Sequence, residues 1–156
     1  MTTNAQNYTV TIVVAKSPHV VFTSLSDVSK WWGGKDLEGR TTRLGDEFTI
    51  THLEARPPHS DVHYSKQKVI ELVPDRKVVW LITESRLAWL ERDKQEWTNT
   101  RLVFQITPKG ENALLRFTHE GLVPRKECYA RCTDGWNMVI KDWLFHFITD
   151  GTAHFQ

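Results

Sequence analysis

From Cys128 to Ile148 the apolar residues of this chain recur on a single helical stripe. Counted from Trp136, residues Val139, Ile140, Trp143, Leu144, Phe147 and Ile148 occupy the three, four, seven, eight, eleven and twelve spacings of one helix face. Cys128, Tyr129 and Cys132 extend the stripe backwards, while Arg131, Asp134, Asn137 and Lys141 lie off it. A helix with so broad and aromatic a face needs a large concave partner, and the upstream sequence must supply it.

That upstream sequence reads as strand. Tyr8, Val10, Ile12 and Val14 alternate with Thr9, Thr11 and Val13. Ser17 followed by Pro18 is an N-cap with proline at the first helical position, and Val21, Leu25, Val28 and Trp32 keep helical spacing up to Gly33-Gly34. Asp27 is a second cap, which divides this stretch into two short helices. Five strands come next: 48–53 after the turn Leu44-Gly45-Asp46-Glu47, 61–73 after the interruption Pro57-Pro58, 78–85 after Pro74-Asp75, 97–107, and 113–120 after the turn 108–112. Short turns with no helix between them predict an antiparallel meander. The order predicts an α+β fold, a curved antiparallel sheet wrapped around the long C-terminal helix, as one domain over residues 1–156. A curved sheet and a straight helix cannot touch everywhere, so a cavity between them is expected.

Composition narrows the function. The 20 basic and 19 acidic side chains nearly balance, so no footprint for nucleic acid is visible. No apolar run approaches membrane-spanning length, and MTTNAQNYTV lacks the features of a secretory leader. A cytoplasmic monomer or homodimer with reduced thiols is expected. Seven Trp and seven Phe predict a core or cavity wall of large flat side chains.

Strand periodicity selects the inward candidates. Leu115, Phe117 and His119 share one face of the last strand, Leu102, Phe104 and Ile106 one face of its partner, and Trp80, Ile82 and Glu84 one face of the strand before. In 61–73 the residues Val62, Tyr64, Ile70 and Leu72 favour one register, but Lys66 and Lys68 share it, and a bulge would switch the face midway. His119 is the candidate acid or base, with Glu84 or Tyr64 as partner; its structural alternative is a buried histidine satisfied by a hydroxyl or carbonyl. Cys128 and Cys132 lie one helical turn apart near His119 and His63, yet without a clear third and fourth donor they predict no metal site. No phosphate loop, nucleophile elbow or dinucleotide fingerprint occurs, and no cofactor is implied. Residues 86–96 read as a loop or lid at one end of the cavity, or less readily as an exposed contact patch.

The motifs also carry a resemblance. SPHVVFTSLSDVSKWWGG, VIELVPDRKVVW, TRLVFQITPKGENALLRFTHEGL and DGWNMVIKDWL together resemble the START-like helix-grip superfamily, SRPBCC. Within it the chain is similar to the branch related to the C-terminal domain of the activator of the Hsp90 ATPase. DVHYSKQKV, DKQEWTNT and FTHEGLVPRKECYARC resemble small bacterial single-domain members. The resemblance implies a deep apolar cavity under the C-terminal helix, in a superfamily whose members bind lipids, sterols, hormones and polyketides, act as cyclases, or bind proteins. The residues expected to meet a small apolar or amphipathic ligand are Trp32, Tyr64, Trp80, Phe104, Phe117, His119, Cys128, Cys132, Trp136 and Ile140. The competing expectations are a cyclase or dehydratase using His119, and a chaperone-linked interaction module.

Overall fold

In β1 (Tyr8–Val14) the alternation is realised directly: Tyr8, Val10, Ile12 and Val14 are buried and the residues between them exposed. The computed structural model describes residues 6–53 and 62–152. Ser17 caps α1 (Pro18–Ser26), its hydroxyl accepting from the Val20 amide at 3.2 Å. The helix stops at Asp27, where the second cap was expected, but the Asp27 side chain makes no capping hydrogen bond and the second short helix is reduced to a single 3₁₀ turn, Val28–Lys30, with another at Gly34–Asp36. The Trp31 indole donates back to the Leu25 carbonyl at 3.1 Å. That bond folds the chain over the end of α1, which burial of Trp31 rewards more than a further α-turn would.

Among the described residues seven strands form one antiparallel sheet: β1, β2 (Leu37–Gly39), β3 (Glu47–Leu53), β4 (Val62–Val73), β5 (Lys77–Arg86), β6 (Arg101–Lys109) and β7 (Asn112–Glu120), in the order β1-β7-β6-β5-β4-β3-β2. β2 is too short to show a period, and the sequence does not announce it. The Pro57-Pro58 interruption lies outside the described residues. Residues 97–100, read as the start of a strand, instead form a turn with Asn99 at φ 71°, and the hairpin strands run on to leave only Gly110-Glu111 between them.

Two bulges decide which side chains face inward. Lys66 pairs with Glu84 but Gln67 with Ile82, which leaves Thr83 as an extra residue in β5; Val69 pairs with Trp80 but Glu71 with Val79, which leaves Ile70 extra in β4. Each extra residue flips the alternation. Trp80 and Ile82 therefore point inward, whereas Glu84, expected beside them, is exposed and Ser85 is buried. In β4 the inward set is Ser65, Gln67 and Val69, with Leu72 packed on the core beyond the bulge. Tyr64 falls in the opposite register.

The C-terminal helix is continuous but not uniform: α2 (Tyr129–Met138), a π-helical segment (Val139–Leu144) and α3 (Phe145–Asp150). The sequence explains the change. Cys128, Cys132, Trp136, Ile140, Leu144 and Ile148 are all buried and repeat every four residues. Four residues overshoot an α-helical turn by about 40°, so an unbroken α-helix would carry the sixth of them to the far side. The wider π turn absorbs the excess and keeps the row on the sheet. Among the described residues no helix is long and apolar enough to cross a membrane.

Candidate ligand cavity

Between the helix and the sheet lies a cavity of about 210 Å³. Four tryptophans, Trp32, Trp97, Trp136 and Trp143, stand in its wall. The sheet contributes Ile50, His63, Tyr64 and Ser65, the loop after β5 adds Leu87, and the helix adds Cys132, Gly135, Met138 and Val139. Trp97 and Trp136 stack with ring centroids 5.7 Å apart and planes 10° from parallel, while Trp32 leans on Trp136 at 5.2 Å. Met138 is 47 % exposed, so the cavity reaches solvent beside it. The Ser65 hydroxyl makes no hydrogen bond among the described residues, whereas His63 Nδ1 accepts from the Ala88 amide at 2.9 Å.

His119 sits behind this wall and not in it. It is fully buried, and both ring nitrogens are engaged: the Trp136 indole donates to Nδ1 at 3.1 Å, and Nε2 lies 2.8 Å from the Thr100 hydroxyl. That hydroxyl donates onward to the Trp97 carbonyl at 2.5 Å. The directions are mutually fixed. Nδ1 must be bare to accept from the indole, so Nε2 carries the proton and donates to Thr100, whose own proton is committed to Trp97. Burial, reinforced by Lys126, lowers the His119 pKa from 6.5 to about 3. The ring is a neutral strut that fixes Trp136 and, through Thr100, Trp97. Gly121 makes room for it: at φ +105° it ends β7 where a Cβ would lie 2.6 Å from Thr100 Cγ2.

The loop between β5 and β6 is fastened to the start of the helix from both sides. Glu96 accepts from the amides of Glu127 and Cys128 at 3.1 Å each, and so caps a helix whose own first residues offer no capping side chain. Glu127 in return accepts from the amides of Glu91 and Arg92 at 3.0 Å, and these backbone bonds lower its carboxyl pKa. Leu87, Ala88 and Leu90 are buried, Lys94 Nζ donates to the carbonyls of Ala88 and Leu90, and the Arg131 guanidinium lies 4.4 Å over the Trp89 ring. This loop is a packed unit whose two ends, Leu87 and Trp97, reach the cavity wall.

Of the residues expected to meet a ligand, Trp32, Tyr64, Cys132 and Trp136 border the cavity. Tyr64 turns its hydroxyl away, donating to the Glu84 carboxylate at 2.6 Å on the outer face, a bond that raises its pKa. Trp80, Phe104, Phe117, His119, Cys128 and Ile140 are fully buried in the aromatic and aliphatic packing behind the wall. The Cys128 thiol is pushed up by its hydrogen bond with Cys132 and by burial, so it is held as a thiol. Among the described residues no three His, Cys, Asp or Glu side chains are grouped to hold a metal. Val139 and Trp143, which were not among the residues expected to meet a ligand, also line the cavity. Trp97, Ser65 and Gly135 escaped sequence reading, and only Gly135, a glycine inside an amphipathic helix, carried a local signal.

The fold recurs in solved structures. The solution structure of the Aha1 dimer from Colwellia psychrerythraea is similar with a TM-score of 0.67 and 20 % identity, over 94 % of this chain and 98 % of that one. A Chromobacterium violaceum protein is similar with a TM-score of 0.64 and 16 % identity, over 91 % and 96 %. CalU16 from Micromonospora echinospora is similar with 0.63 and 15 %, over 94 % and 78 %. No functionally curated protein matches the sequence. The family model described as Activator of Hsp90 ATPase homolog 1-like protein matches residues 18–146. The chain thus belongs to the Activator of Hsp90 ATPase homolog 1-like family, a branch of the SRPBCC superfamily.

Proposed function

We propose that the protein binds a small, flat, largely apolar molecule in the cavity between sheet and helix. The observation that carries this reading is the concentration of four of the seven tryptophans in one wall, where ring faces offer large apolar area and little flexibility. Size narrows the class. An apolar cavity of about 150 Å³ is filled by one benzene ring, so about 210 Å³ suits one or two fused rings better than a sterol or diacyl lipid. The Ser65 hydroxyl, in the cavity wall, offers one polar contact for such a ring. Acid–base catalysis by His119 draws no support from a ring that is buried, neutral and doubly bonded. Because the Colwellia relative is a dimer, a homodimer is the assembly to test, by sedimentation equilibrium.

Titration with 2-naphthol, followed through the indole N–H signals of the tryptophans, tests the reading. Signals of Trp32, Trp97, Trp136 and Trp143 should shift while those of Trp31 and Trp80 stay still. Native mass spectrometry of protein purified from its own host should show a small bound molecule. Still indoles together with a consistently empty protein would end the proposal.

A further inference from the structure

Gly135 stands in the cavity wall on α2, between Cys132 and Trp136, and neither of the usual structural reasons for glycine applies to it. Its backbone is not in the left-handed region, where a side chain would be strained. Nor does anything across from it crowd it, since a Cβ built there meets, beyond its two chain neighbours and its own helix's backbone, no atom of the described residues within 4 Å. A helix interior ordinarily selects against such a residue, because glycine is about 1 kcal/mol less favourable there than alanine. Cys132, Gly135, Trp136 and Val139 fall at the zero, three, four and seven spacings of one face, and that face is the cavity roof. The bare Cα therefore leaves a recess in the roof, in a wall shared with Cys132, Trp136 and Val139.

Resting on the cavity-binding reading, we infer that Gly135 sets the depth of the cavity and thereby the largest ring system it admits. A methyl group at this position occupies the recess and leaves the fold untouched; a larger side chain closes the space between helix and sheet. Gly135 is a determinant of ligand size and takes no part in holding the helix on the sheet.

Three forms of the full-length chain, wild type, Gly135→Ala and Gly135→Leu, titrated with phenol and with 2-naphthol by indole N–H shifts, test this. Gly135→Ala should melt about 2–4 °C higher than wild type, keep phenol binding within twofold, and weaken 2-naphthol at least tenfold. Gly135→Leu, with a wild-type spectrum for Trp31 and Trp80, should lose both. If wild type binds 2-naphthol and folded Gly135→Leu binds it equally well, the role of Gly135 falls and the cavity reading stands. A lowered melting temperature in Gly135→Ala overturns it too, because glycine would then serve packing. If wild type binds neither ring, the cavity reading falls and takes this inference with it.

Discussion

Trp31 and Trp80 are stacked 6.2 Å apart with no exposure to solvent, and both rings contact Phe104. Trp97 and Trp143 are only partly buried and look into open space. The same residue type does two different things in these settings. Where every ring face meets another side chain, a tryptophan contributes dispersion and burial to stability. Where part of a ring borders the cavity, that part is held out of full packing and can meet a guest. Trp136 joins the two groups, packing on Phe117 at 4.6 Å and Trp97 at 5.7 Å while His119 accepts its indole proton.

The contrast is easiest to break by truncation in the packed group. Trp80→Ala should destabilise by about 3–5 kcal/mol, because the surrounding aromatic cluster cannot collapse into the void; a urea midpoint close to wild type would dissolve the distinction. Acid is the next lever, through the ring that joins the groups. His119 titrates at 6.5 when unfolded and about 3 when folded. Above pH 6.5 neither state is protonated and nothing is lost; as pH falls from 6.5 toward 3 the unfolded chain takes up a proton that the folded one refuses. Stability should then fall by up to about 1.4 kcal/mol per pH unit. His119→Gln, which cannot titrate, should flatten that part of the profile, and an unchanged slope in equilibrium unfolding would show that other groups produce it.

Smaller effects sharpen the comparison on the cavity side. Glu96→Ala removes the cap on the long helix and should cost about 0.5–2 kcal/mol. Hydrogen exchange should then rise at the amides of Glu127 and Cys128 but not in α3, and uniform exchange would deny the loop this role. Trp143→Ala should cost only about 1 kcal/mol, since the ring is already partly exposed. It should nevertheless weaken 2-naphthol several-fold in the same titration, and undiminished binding would remove Trp143 from the site.

Much of the fold was legible because it rests on periods. The inward faces of β1 and β7 come from strict alternation, that of β6 from the same period although Val103 is buried too, and α1 begins where Ser17-Pro18 says it should. The reading of β5 failed at a single residue, whereas in β4 the two lysines on the apolar register did announce a change of face midway without locating it. Thr83 and Ile70 are extra in their strands, and each reverses the face of the residues beyond it, so Glu84 went out and Ser85 came in. Nothing local fixes which residue is the extra one, because a bulge is a property of the pairing between two strands. The cavity was anticipated as a place but not as a wall. Trp143 lies on the same stripe as Leu144 and differs from it only in which neighbour the helix rotation offers.

By itself the sequence determined a long apolar helix and a run of antiparallel strands, and laying one across the other is the simplest way to bury the stripe from Cys128 to Ile148. That the helix widens into a π turn over Val139–Leu144 was not read from the sequence, whose apolar spacings also fit one α-helical face. Only the tertiary structure decided which aromatic residues are packed and which face empty space. That choice depends on a few ångströms of separation between two curved surfaces, and no periodicity along one chain encodes that gap.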